Sequence, residues 1–197
     1  MIVSQKPPSL TSCIRFHEAG HAVMAYRLGG SIEYVGAKGR EDRMRLPNRR
    51  WVEHEGICLT DWFADYASLK YPVPWNAPEC DLLINDICVL LGGIWAHKHY
   101  AGISFDEAAE MGGAADLKMV DAILEYLTPP CREPAKSLAR TICGDTLKKT
   151  KNWYLVKELA AHLKKNPVVA GKKVHLFLDV YKDLWYMEDA AKKLGWR

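Results

Sequence analysis

The sequence has no apolar run long enough to cross a membrane. Its longest uninterrupted apolar stretch, residues 87–96, has ten residues between Asp86 and His97, whereas a transmembrane helix needs about 20. The first residues, MIVSQKPPSL, contain no apolar core of a signal peptide. These two absences predict a soluble, cytoplasmic protein without a membrane span.

Cysteine is also scarce. The chain has six cysteines in 197 residues, and no two of them stand in the C-x-x-C spacing of many zinc and redox sites. This density is far below that of a disulfide-stabilised scaffold. We therefore expect reduced, buried thiols rather than disulfides or a zinc site built from cysteines alone.

Repeats, low-complexity tracts and a phosphate-binding loop are missing too. No G-x-x-x-x-G-K-[ST] occurs anywhere in the chain. What the chain does have is a 49% hydrophobic and 26% charged composition, which is enough to form a sizeable core. Its length predicts a single domain over residues 1–197.

Charge is distributed unevenly along the chain. Residues 53–130 carry three basic and thirteen acidic side chains, whereas residues 132–173 carry eleven basic and three acidic ones. The basic segment raises the hypothesis of nucleic-acid binding. The overall net charge of +3 and the lack of a nucleic-acid-binding motif argue against it.

The apolar pattern predicts a mainly helical α+β fold with a small β-sheet from residues 31–60. The helix over residues 114–127 is expected to end at Pro129-Pro130, and the helix over residues 134–165 is expected to bend at Gly144. Residues 60–78 have no clean period and are expected to form a long ordered loop. Helices are predicted at 12–28, 79–102, 114–127, 134–165 and 171–194, and strands at 31–37 and 51–60.

The most informative motif lies on the first predicted helix. His17-Glu18-Ala19-Gly20-His21 is an H-E-x-x-H sequence, in which both histidines project from one helix face. Two neutral imidazoles at this spacing can bind one Zn²⁺, and Glu18 is placed to accept a proton from the attacking water. Chance would produce only about 0.015 such matches in a chain of this composition.

A catalytic zinc site needs a third protein ligand. The residue types alone leave several candidates open. Asp116 lies in a run of small residues, which would allow a close helix approach. The other candidates are His97, His99, Glu107 and Glu110.

Three segments together resemble the FtsH-type zinc metallopeptidase family. Residues 16–23, FHEAGHAV, are similar to its zinc-binding helix, and residues 90–96, LLGGIWA, resemble its L-G-G-R-A-A-E helix. Residues 112–123, GGAADLKMVDAI, resemble the family segment that supplies an aspartate as the third zinc ligand. The resemblance implies a helical, zincin-like peptidase domain with Zn²⁺ bound by His17, His21 and Asp116.

The same resemblance implies a substrate-binding strand. In the family, an edge strand in this region pairs with an extended polypeptide, which here corresponds to Gly56, Ile57, Cys58 and Leu59. An ordinary paired core strand is the alternative. His54 and Tyr100 are further candidates for contact with the reacting carbonyl.

The chain departs from the family in three ways. The segment from the H-E-x-x-H motif to Asp116 is longer, and the excess is expected in polar connecting loops at residues 38–50 and 61–78. The family's ATPase module has no counterpart in these residues, and Ala115 stands where the family has asparagine before its ligand aspartate. The sequence thus predicts an ATP-independent zinc endopeptidase, with Glu18 as general base, that cleaves unfolded or flexible protein segments. A homo-oligomer and a separate ATPase partner stay open, and the alternative function is a catalytically silent peptidase-like binding or regulatory module.

Overall fold

The computed structural model describes residues 9–37, 44–45, 51–52 and 56–193. This part of the chain is mainly helical with a small three-stranded antiparallel sheet, as the sequence predicts. The helices are α1 (Leu10–Leu28), α2 (Pro78–Ala101), α3 (Phe105–Ala108), α4 (Ala114–Leu124), α5 (Pro129–Lys148), α6 (Thr150–Lys165) and α7 (Gly171–Lys193). The strands are β1 (Ile32–Ala37), β2 (Met44–Arg45), β3 (Trp51–Val52), β4 (Gly56–Thr60) and β5 (Val168–Ala170).

Helix α1 has the start and stop signals that its sequence contains. The Ser9 side chain accepts a hydrogen bond from the backbone N–H of Ser12 at 3.3 Å, which caps the helix. Gly29 ends it in the left-handed conformation, with φ at 81°. Residues 17–25 of this helix are all buried, so α1 runs through the interior.

Helix α2 is the central helix of the structure. Although its uninterrupted apolar run is short, an 18-residue window of α2 has a mean hydropathy of 1.4, so by length and composition this helix could cross a membrane; 78% of that window is buried inside the fold. This burial is the ordinary position of a core helix. Helix α5 packs against its side, where the Cys143 thiol donates to the carbonyl of Cys88 at 3.0 Å.

Helices α1 and α2 cross at small residues. A Cβ atom on Gly20 would collide with the carbonyl oxygen of Gly92 and with the Cβ of Ala96. A Cβ on Gly92 would in turn lie 2.9 Å from the carbonyl oxygen of Gly20. Because neither position has a side chain, the two backbones approach closely, and this crossing places α2 directly beneath the histidines of α1.

The strands that form the sheet differ from those predicted. Strands β1 and β4 pair antiparallel, with Val35 opposite Cys58, but the third strand is β5 from the C-terminal region. The predicted strand over residues 51–60 is divided, because β3 pairs with β2 in a separate two-stranded ribbon. The rest of the predicted 38–50 connection lies outside the described residues. Among the described residues, β4 is an edge strand with β1 on one side.

Two predicted helix boundaries in the second half are wrong. Pro129 does not stop a helix but occupies the first turn of α5, where its missing N–H is not needed. The predicted long helix over 134–165 is two helices, and the break lies at Lys149, with ψ at 127°, rather than at Gly144. Gly144 lies within α5, where the missing side chain lets the helix approach the Trp95 ring, since a Cβ would be 2.9 Å from it.

The predicted loop over residues 60–78 is attached firmly to the core. Asp86 of α2 is 1% exposed, and its carboxylate accepts hydrogen bonds from the backbone N–H groups of Phe63 and Ala64 and from the Tyr66 hydroxyl at 2.7, 3.2 and 2.9 Å. The N–H of Val73 also donates to the carbonyl of Tyr126 at 2.7 Å. The six cysteines are free thiols, of which Cys58 and Cys131 are half-buried and the others buried.

Candidate metal centre

His17, His21 and Asp116 meet at one point between α1 and α4. The Nε2 atoms of the two histidines are 2.9 Å apart. The Oδ2 atom of Asp116 lies 3.0 Å from Nε2 of His17 and 3.6 Å from Nε2 of His21. Two tetrahedral ligands at ~2.1 Å from a zinc ion would be about 3.4 Å apart, so small outward shifts of the imidazoles would let the three atoms share one metal ion.

The orientation of His21 suits a metal ligand. Its Nδ1–H donates to the carbonyl of Val89 at 2.7 Å, which leaves a lone pair on Nε2 in the neutral imidazole. Such a backbone hydrogen bond on the far nitrogen is the usual support of a metal-binding histidine. No sequence signal identifies Val89, since it contributes only its carbonyl.

Gly93 makes room for the cluster. A Cβ at this position would collide with Nε2 of His21 and would lie 2.7 Å from Nε2 of His17. The donor set, the convergence of three ligand atoms and this cradle together fit a zinc ion. The Gly92-Gly93 pair inside an apolar helix is the sequence signal that could have indicated the close approach.

Asp116 reaches the histidines through an irregular helical segment. Residues Ala109–Gly113 form a wide π-helical turn between α3 and α4, a feature that is frequent at functional sites. Among the described residues, Asp116 is the one predicted third-ligand candidate that joins the histidines. Glu107 instead accepts from the backbone N–H of Ser104 at 2.7 Å in a capping box at the start of α3, and Glu110 is exposed.

Charge interactions within the cluster are strong. Burial lowers the pKa of His21, but Asp116, with smaller contributions from Glu18 and the Val89 carbonyl, outweighs this effect and raises the pKa to about 9. Burial raises the pKa of Asp116, whereas the neighbouring His21 and His17 hold it well below its usual range. The two opposite pKa shifts mean that the Asp116 carboxylate and the protonated His21 imidazole stabilise each other in the absence of a metal.

Glu18 lies beside the cluster and against the edge strand. It is 6% exposed, and burial raises the pKa of its carboxyl. A Cβ on Gly56 would collide with Oε1 of Glu18 and would lie 2.6 Å from Ile14. The predicted base is thus in close contact with the first residue of β4.

A groove of about 320 Å³ contains these residues. Its walls include Glu18, the three candidate ligands and the whole predicted substrate strand. A second cavity of about 250 Å³ shares His17, Glu18 and Gly56 and continues on the other side of Glu18. The candidate centre therefore lies within a continuous depression rather than in a closed core.

His97 has a different environment from the one expected near a helix end. It is 2% exposed rather than at the surface, and its ring lies edge-on to His17 at 6.4 Å between centroids. It is not part of the ligand cluster. Of the other histidine and tyrosine candidates, His99 is exposed, the Tyr100 ring stacks on Phe16 at 3.7 Å, and His54 lies outside the described residues.

The basic segment contacts the acidic one. Arg132 pairs with Glu125 and Lys136 pairs with Asp121, each at 2.8 Å. A third pair joins Arg140 to Asp106 at 3.7 Å. Part of the charge asymmetry along the chain is thus neutralised within the fold, because α5 packs beside α4.

Comparison with models of known protein families found no match, and comparison with curated proteins found none.

Proposed function

We propose that this protein is an FtsH-like, zincin-type zinc endopeptidase that cleaves unfolded or flexible polypeptide segments. The observation that carries the proposal is the meeting of His17, His21 and Asp116 beside Glu18 in one groove. Two imidazole nitrogens and a carboxylate oxygen are a common ligand set of catalytic zinc. The FtsH-like order of the three sequence motifs supports the same assignment.

Each residue has a distinct role in this proposal. A zinc ion held by His17, His21 and Asp116 would polarise the scissile carbonyl and lower the pKa of water towards about 7. Glu18 accepts the proton of the attacking water and delivers it to the leaving amine. Val89 and Gly93 keep the His21 imidazole in the orientation that this requires.

The edge of β4 provides a way to bind substrate without strong sequence preference. Among the described residues, its N–H and C=O groups facing away from β1 are not used in the sheet. An extended polypeptide can hydrogen-bond to such an edge. Because β4 starts against Glu18, a bound segment would pass the candidate centre.

Metal analysis combined with a cleavage assay tests the proposal. The purified protein is expected to contain about one zinc per chain and to cleave casein, with loss of cleavage in a zinc chelator and recovery after zinc is added back. Zinc binding without cleavage would favour the catalytically silent module. Absence of zinc and of cleavage after zinc loading would reject the proposal.

A further inference from the structure

A third, apolar cavity that is widely open to solvent lies next to the groove. It has a volume of about 410 Å³, within the range of about 300–1,000 Å³ that is typical of ligand pockets. Its surface is almost entirely aromatic or aliphatic. The lining residues are Trp62, Tyr66, Met119, Ala122, Ile123 and Tyr126.

The walls of this cavity are held in place by the core. The Tyr66 ring packs edge-on against Trp62 and Tyr126, with centroids at 5.8 and 5.1 Å. Its hydroxyl donates to the buried carboxylate of Asp86 at 2.9 Å. The cavity presents an apolar surface to solvent, since Trp62 is 46% and Met119 40% exposed.

The cavity is continuous with the candidate centre. Trp62 and Met119 line both the cavity and the groove that contains Glu18 and the candidate ligands. Met119 and Ile123 follow Asp116 by three and seven residues along α4, so they lie on the same face of this helix as Asp116. Trp62 comes two residues after the end of β4, so the cavity lies beyond the Thr60 end of the edge strand.

We propose that this aromatic cavity binds a bulky apolar side chain of the polypeptide that occupies the groove. The inference rests on the proposed function and adds a substrate class. The preferred segments carry an aromatic or long aliphatic residue at a fixed distance from the cleaved bond. The four residue steps from Gly56 to Thr60 span about 13 Å of extended chain. The selected residue therefore lies about three to five residues from the scissile bond.

This cavity explains how a site that binds backbone can still select substrates. Backbone pairing along β4 does not depend on the substrate side chains, whereas insertion of one aromatic ring into a preformed apolar cavity does. Unfolded segments expose such residues and folded proteins bury them. The cavity thus favours the same class of substrate as the edge strand.

Peptide binding to the full-length Glu18→Gln protein tests the inference without turnover. The probes are labelled peptides of alanine and serine that carry one phenylalanine, moved along the peptide, and the same peptide without it. We expect the best phenylalanine position to tighten binding roughly tenfold or more, the scale expected for burial of an aromatic side chain. Fluorescence anisotropy measures the affinities.

Two substitutions, each added to the Glu18→Gln protein, test whether the cavity causes the preference for the phenylalanine peptide. Ala122→Phe fills the cavity from an exposed position, and Trp62→Ala removes one wall; each should bring the phenylalanine and alanine peptides to within about twofold of each other. Ala161→Phe places the same ring at an exposed position of α6 and should keep the preference. Circular dichroism checks that every variant is folded.

The possible results separate the inference from the proposed function. A phenylalanine preference that Ala122→Phe abolishes, in a wild-type protein that cleaves nothing, supports the cavity and rejects the endopeptidase. Cleavage of both peptides at equal rates, with equal binding, overturns the cavity as a substrate site. Sedimentation of the protein without peptide is compared before and after Ala122→Phe. If the substitution changes the oligomeric state, a second copy of the chain covers the cavity, which also overturns the inference.

Discussion

Gly93 of α2 lies directly against His21 of α1, with no space for a methyl group between its Cα and the Nε2 atom of the imidazole. The absence of a side chain on Gly93 also leaves space at Nε2 of His17, since a Cβ on Gly93 would lie 2.7 Å from this atom. The metal-binding capacity of α1 therefore depends on a residue of another helix that has no side chain of its own.

Gly93→Ala should lower zinc affinity while the helices remain formed. The added methyl group must displace both imidazoles from their common point, and loss of a residue that positions metal ligands typically costs about 10- to 100-fold in metal affinity. Zinc titration with a competing chelator measures the effect. Gly112→Ala is the matched control, because its nearest neighbour, Nδ1 of His97, would be 3.9 Å away; an equal loss in both variants would contradict the role of Gly93.

Asp116→Ala should abolish stoichiometric zinc binding together with cleavage. It removes the one carboxylate that lies within 3.0 Å of a histidine nitrogen in the cluster, so the loss should exceed the roughly 100-fold effect of an outer partner. Zinc content after dialysis is the measurement. Glu107→Ala and Glu110→Ala are the controls and should keep their zinc; the opposite pattern would assign the third ligand to another helix.

Glu18→Gln should keep zinc and lose most hydrolysis. The amide fills the same space against Gly56 but cannot accept a proton, and general base catalysis contributes about 10²- to 10⁴-fold. The cleavage rate of an unfolded substrate and the zinc content are measured on the same preparation. Glu110→Gln, an exposed change near the groove, should leave both values unaltered. Near wild-type cleavage by Glu18→Gln would remove this residue from the mechanism.

Asp86→Asn should destabilise the fold by about 1–3 kcal/mol, because an amide cannot accept from all three donors that now point at the carboxylate. Urea unfolding measures the free energy of unfolding. Asp81→Asn is a control on the same helix at an exposed position and should change it by less than about 0.5 kcal/mol. Equal stability of the two variants would show that Asp86 does not anchor the aromatic loop.

Substrate folding should control the rate of cleavage. Binding along β4 needs an extended segment, and opening a folded domain costs about 5–15 kcal/mol. Casein should therefore be cut much faster than a tightly folded protein, and ATP should change neither rate. Comparable cleavage of both substrates would disprove the requirement for an extended chain, and stimulation by ATP would disprove the predicted ATP independence.

Local signals predicted some elements well and failed at others. The end of α1 at Gly29 was readable because this glycine acts on its own helix end, whereas α1 begins at Leu10 rather than at the predicted residue 12. The break at Lys149 was not, since the surrounding lysines and threonines carry no stop signal and Lys149 is extended only in the packed structure. Likewise, β5 has three residues and becomes a strand through pairing with distant β1.

The sequence by itself determined the helical class and placed His17, Glu18 and His21 on one helix, because helical periodicity is a local property of the chain. It left five candidates for the third ligand, and the resemblance to a family pointed to Asp116. The tertiary structure decided that Asp116 meets the histidines, that Gly93 makes room for them, and that Trp62 and Met119 join a separate cavity to the groove. These relationships depend on how α1, α2, α4 and the loop after β4 pack, and such packing joins residues that local periodicity does not relate.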